Sequence, residues 1–134
     1  MDEKDRFESG MKVRRAVLGD EHVDRAQAST DCFNAEFQDL ITRYAWGEIW
    51  SRPGLPRSTR SLLTIAMMVA LRHDDELKMH MRAAVRTGVP RDEIKETLLQ
   101  CAIYCGVPAA NHAFFLANQV FSEIDAPAST DSIS

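Results

Sequence analysis

The chain has 134 residues, 45% apolar and 27% charged, which fits one ordinary globular domain rather than a largely disordered chain. A chain of this length buries roughly two-thirds of the surface it exposes when unfolded, enough for one core. Its net charge of −4, from 20 acidic and 16 basic residues, disfavours a nucleic-acid partner, because neutralising phosphates requires a basic surface. Arg14-Arg15 and Arg52/Arg57/Arg60 are local basic clusters in an acidic whole. They read either as a solvated face or as a holder for a small anion.

The first residues, Met1-Asp2-Glu3-Lys4-Asp5-Arg6, contain no apolar export segment. The longest apolar run, Leu62 to Leu71 with Thr64 inside it, is about half the ~20 residues a bilayer span needs. A cytoplasmic protein without membrane contact is expected. Cys32, Cys101 and Cys105 are an odd set, which argues for free thiols. Cys101 and Cys105, four apart on a helix, would have Cβ atoms ~5–6 Å apart, whereas a disulfide needs ~3.8 Å.

No segment alternates as a strand does, and six or so helices are predicted. Phe7 to Leu18 forms the first, as one helix or as two short ones around Gly10, ending at Gly19. Asp24 to about Trp46 forms a longer one, with Phe33, Phe37, Leu40, Ile41 and Tyr44 recurring at three- and four-residue steps. Ser51 to Pro56 is a loop, with Pro56 placed for the first turn of the next helix. Ser58 to Leu71 is apolar nearly all round, so it must be covered on every side. One small chain can hardly do that alone, which points to a homo-oligomer. Asp74 or Asp75 caps a helix that runs to Gly88. Pro90 opens the next, ending near Cys105-Gly106, and Pro108 opens the last, to about Ile124. Residues 1–124 are read as one all-helical domain and 125–134 as a disordered tail.

The chemistry sits in Arg72-His73-Asp74-Asp75-Glu76-Leu77-Lys78-Met79-His80. Glu76 and His80, four apart, are neighbours on one helix face. His73, seven before His80, lies only about 20° away in projection. A carboxylate beside an imidazole fixes its tautomer and raises its pKa, which is a general-acid arrangement. Spacing alone favours a structural Glu–His pair over a functional one. No metal is expected: the His-Glu-x-x-His pattern is absent, and two His seven apart stand two turns apart. No Gly-rich phosphate loop, Gly-x-Ser-x-Gly elbow or dinucleotide fingerprint is present.

Five blocks together resemble γ-carboxymuconolactone decarboxylases. They are Gly10 to Gly19, Tyr44 to Leu55, Thr59 to Leu62, Glu76 to His80 and Tyr104 to Asn111, and they cover about residues 1 to 124 in register. The wider alkylhydroperoxidase-like superfamily carries Cys-x-x-Cys-x-x-x-His, preceded by Arg-Glu-Leu. In this sequence those positions read His73, Glu76 and His80, preceded by Arg60-Ser61-Leu62. Both redox thiols are missing, so the dithiol chemistry of a thiol peroxidase or disulfide reductase has no residues to run on.

The resemblance implies an all-α, multi-helix bundle assembling as a homo-oligomer, commonly a hexamer, with a trimer as the alternative. It implies a carboxy-lyase of the protocatechuate branch of the β-ketoadipate pathway that works without a cofactor. The implied substrate is an anionic, unsaturated γ-lactone carrying a carboxylate on its γ-carbon and an acetate arm. Its conjugated carbonyl accepts the electron pair left by CO2. On this reading His80 is the acid, oriented by Glu76, and Arg60 binds carboxylate or stabilises the oxyanion. His73 and His112 are second donors, Trp46 and Trp50 wall the pocket, and Glu48 orients His80 or a helix end. The bland alternatives are packed tryptophans, a capping His112 and an interfacial Arg60. The alternatives for the whole chain are a thiol peroxidase or disulfide reductase-like member of the same superfamily, weakened by the missing thiols, and a helical oligomer without catalysis.

Overall fold

The computed structural model describes residues 2–127. Among them are seven α-helices, one π-helical segment and no strand. In chain order they are α1 (Glu3–Leu18), α2 (Asp20–Ala28), α3 (Ala35–Leu40), the π-helical Ile41–Ile49, α4 (Arg57–Leu71), α5 (Asp74–Arg86), α6 (Arg91–Tyr104) and α7 (Val107–Asp125). No described helix is long and apolar enough to cross a membrane. The expected all-helical class is what the structure has.

Several boundaries differ from expectation. Gly10 does not divide α1. The long helix expected over Asp24 to Trp46 is instead α2, a turn, α3 and the π-helical segment. The break falls where Asp31 Oδ1 accepts the Phe33 and Asn34 amides and Asn34 Oδ1 accepts the Asp31 amide. Such side chains offer the backbone a competing partner and end the helix. The winding widens after Leu40. The hydroxyls of Thr42 and Ser51 donate to the carbonyls of Gln38 and Gly47, four residues back. The Trp50 amide bonds to Ala45, five back. Segments wound this way are frequent at functional sites.

Asp74 and Asp75 do not cap α5. His73 holds the cap position, and the two acids stand in the first turn with Glu76, where they face the positive end of the helix dipole. At the other end the Val89 amide bonds to Ala84 and the Gly88 amide to Val85. Gly88, at φ +93, supplies the left-handed residue this Schellman ending needs. The last helix runs one residue past Ile124, to Asp125, which is paired with Arg91 through two bonds of 2.7 and 2.8 Å. Of the expected tail, residues 128–134 lie outside the described residues.

Two apolar clusters meet at α5. The larger contains Ile65 and Val69 of α4, Leu77 and Met81 of α5, Ile94 and Leu98 of α6, and Ala113 and Val120 of α7. The smaller contains Val13 and Val17 of α1, Val23 of α2, Trp46 and Ala83. Gly10 and Gly47 let α1 and the π-helical segment touch backbone to backbone. A Cβ on Gly10 would collide with the Thr42 carbonyl, and one on Gly47 with that of Arg6. His80 is the buried polar residue on α5, between its two apolar faces.

Candidate active site

His80 is only 9% exposed. Trp50 covers it with a nearly parallel ring, centroids 6.2 Å apart, and Trp46 stacks on Trp50 at 4.9 Å. Both tryptophans therefore pack in a series ending on the imidazole. Burial pushes the His80 pKa down from 6.5 to about 4, and the neighbouring His22 pushes the same way. Glu76 acts through its charge in the opposite direction and does not prevail. This corrects the expectation that Glu76 keeps His80 protonated near neutral pH. Glu76 is exposed and screened by water, whereas desolvation acts on the whole imidazole.

His22, near the start of α2, is the residue that sequence reasoning missed. Its own pKa is lowered by burial, then by Arg25 and Arg14. No spacing pattern connects it with His80, because α2 and α5 meet only through the fold. A cleft of about 680 Å³ opens beside the pair. His22 and Arg25 line it from α2, and Glu76, Met79, Arg82 and Ala83 from α5. The α5 wall includes Met79, which adjoins His80 in the chain, while His80 itself is not on the wall.

The other expected residues are dispersed. His73 is exposed at the start of α5. His112 Nε2 lies 2.8 Å from Asp74 Oδ2 and its ring stacks on Phe115, so it ties α7 to the first turn of α5. Glu48 accepts from Arg6 and lies 3.9 Å from Arg52, and so is engaged away from His80. Arg60 is half-buried and donates to the Arg52 carbonyl at 3.3 Å, with its Nε unpartnered. It is not among the charges that act on His80. Cys101 and Cys105 both lie on or at the end of α6. Burial, then Cys105, raises the Cys101 thiol to about 11, which keeps it from acting as a thiolate nucleophile.

The arrangement sets a cleft with His22, Arg25, Arg82 and Arg86 on its walls beside the buried His80, which Trp50 covers. It offers no dithiol next to His80. The profile of the Carboxymuconolactone decarboxylase family matches residues 35–119. A 4-carboxymuconolactone decarboxylase of Acinetobacter baylyi is 50% identical over 124 residues, 92% of either chain. A nitrosuccinic acid decarboxylase of Metarhizium robertsii is 40% identical over 118 residues, 88% of this chain and 82% of its own. A 4-carboxymuconolactone decarboxylase of Pseudomonas putida is 60% identical over 48 residues, 36% of this chain and all of the relative's sequence. With the profile spanning more than half of the chain and a relative half identical across nearly all of it, this chain belongs to the Carboxymuconolactone decarboxylase family.

Proposed function

We propose that the chain decarboxylates γ-carboxymuconolactone to β-ketoadipate enol-lactone, without a cofactor, at the cleft lined by His22 and Glu76 beside His80. The observation that carries the site is the burial of His80 under Trp50 beside that cleft. The bond from the γ-carbon to its carboxylate breaks and CO2 leaves. The electron pair passes through the conjugated ring to the lactone carbonyl as a dienolate. The carbon α to that carbonyl then takes a proton. The reaction consumes one proton, so the site must collect one for each turnover. In the free site His80 is neutral; the charge of the bound lactone opposes its desolvation and lets it take up that proton. His80 then passes it to the α-carbon. Glu76 supports the imidazolium through its charge.

A nitro group also accepts the electron pair of a departing CO2, as a conjugated lactone does. The relative named for nitrosuccinic acid therefore fits the same logic of a substrate with its own electron sink. Trp46 and Trp50 keep water from the imidazole. Arg60 is held by the Arg52 carbonyl away from the His80 cluster and is assigned no chemical step. His73, His112 and Glu48 have structural partners or exposure instead, and are assigned no chemical step.

A direct spectrophotometric assay on freshly made lactone tests the reading. Wild-type protein stripped of metals is expected to turn it over. His80→Ala is expected to lose at least about 100-fold in turnover with unchanged helicity. Near-wild-type turnover in that variant overturns the role of His80. Turnover of nitrosuccinate but not of the lactone moves the substrate and leaves the site in place.

The described chain leaves Leu63, Met67 and Leu71 of α4, Ile103 and Tyr104 at the end of α6, and Val107 at the start of α7, exposed. Phe33, Phe37, Leu40 and Tyr44 form another exposed apolar stripe. Patches of this extent mark association surfaces, and we assign them to a homo-oligomer, a hexamer or a trimer. Three free thiols, one of them exposed, suit the reducing cytoplasm, where we place the enzyme. Residues 1–124 make up the catalytic domain in this reading.

A further inference from the structure

Arg14 of α1 is 5% exposed, which makes it the most deeply buried cation among the described residues. Its guanidinium has five N–H donors. One bonds the Thr42 hydroxyl at 3.2 Å and one the Gln38 side-chain carbonyl at 3.1 Å, and the Nε has no partner. Both acceptors are neutral. No carboxylate lies within ion-pair distance of it among the described residues, whereas Arg6, Arg15, Arg25, Arg43, Arg82 and Arg91 each have one. A buried, uncompensated charge is costly unless something negative arrives. The cost is visible in the guanidinium itself, which burial and then Arg15 push below its ordinary pKa.

A cavity of about 280 Å³ lies against this side chain, lined by Arg14, Met11, Gln27, Gln38 and Thr42. Asp39 is on the same wall, but its carboxylate is held by Arg43 at 2.7 Å. Arg14 is close enough to His22 to act on it, and His22 is close enough to act on His80. The three side chains make a chain of positive or protonatable groups across α1, α2 and α5.

We propose that Arg14 is a substrate-binding residue that holds the carboxylate of the lactone's acetate arm in the cavity bounded by Gln38 and Thr42. This rests on the lactone reading of the preceding section. The arm is the fitting group for a physical reason. A guanidinium clamped on the carboxylate that must leave would stabilise the ground state and raise the barrier. The arm carboxylate keeps its charge from substrate to product, so binding it costs the chemical step nothing. The departing carboxylate is then left to the less polar surroundings of Trp46 and Trp50.

Two inert probes test this by titration calorimetry: the same unsaturated lactone with its acetate arm but without the γ-carboxylate, and the amide of that arm. Neither can lose CO2. Wild-type protein is expected to bind the acid roughly 10- to 100-fold more tightly than the amide, as charge-assisted hydrogen bonds imply. In Arg14→Gln that ratio should collapse towards one, with the unliganded melting temperature unchanged or raised, because an uncompensated charge has been removed. Arg14→Lys, which keeps the charge and loses the fork, should fall between and stands in if Arg14→Gln does not fold. An unchanged acid-to-amide ratio in these variants overturns the proposal. So does a shift of Arg14→Gln to smaller assemblies in sedimentation with the ratio intact, which would give the guanidinium a partner in a second copy of the chain. Wild-type protein that fails to turn over the parent diacid overturns the substrate reading and this inference with it. Wild-type turnover with an intact ratio in the variants overturns this inference alone.

Discussion

His80 links the site to the stability of the fold. The unfolded chain titrates this imidazole near 6.5 and the folded protein near 4. Between those values the unfolded state binds more protons, so stability rises with pH across the window and is lost as pH falls through it. The full effect is a few kcal/mol, at about 1.36 kcal/mol for each pH unit between the two values. Urea titrations at pH 4.5 and 7 are expected to show this loss in the wild type and much less of it in His80→Gln. An equal loss in both would mean that other groups carry the acid sensitivity. At this scale the sequence revealed the neighbours Glu76 and His80, because four residues make one turn. It did not reveal which of two opposing effects on the imidazole is larger. That depends on Trp50 and His22, which reach His80 from other helices.

The helices themselves were mostly legible, and the misreadings have local causes. Pro90, Gly88 and Pro108 marked the ends of α5, α6 and α7 because each imposes a backbone geometry that a helix end requires. The region Asp24 to Trp46 misled because its apolar period runs across an Asp31–Asn34 turn without a Gly or Pro to flag it. The π-helical winding had no sequence signature. It shows in the packing, since α1 lies against that segment at Gly10 and Gly47. Gly10→Ala is expected to destabilise by about 1–3 kcal/mol, because the new methyl meets backbone that cannot rotate aside. Gly54→Ala, where a Cβ meets nothing within 4 Å, is the control. Equal urea midpoints for the two variants would refute the close-packing account.

At the scale of the whole molecule, α4 turns Ile65 and Val69 inward and leaves Leu63, Met67 and Leu71 outside. A Leu63→Glu/Met67→Glu double variant is expected to sediment as smaller species than the wild type in sedimentation velocity, since it places two charges in the proposed contact. A double variant sedimenting as the wild type would remove α4 from that contact. The apolar completeness of α4 could be read from sequence because it is a property of one helix. The sequence by itself also determined the helical class, the family blocks and the absence of thiols beside His80, since each is written in nearby residues or in their order. Only the tertiary structure decided that His80 is neutral, that His22 stands beside it, and that Arg14 rather than Arg60 is the arginine deeply buried without a carboxylate. Desolvation and charge pairing depend on what α1, α2 and the π-helical segment bring against α5, and helices distant in sequence meet only when the chain has folded.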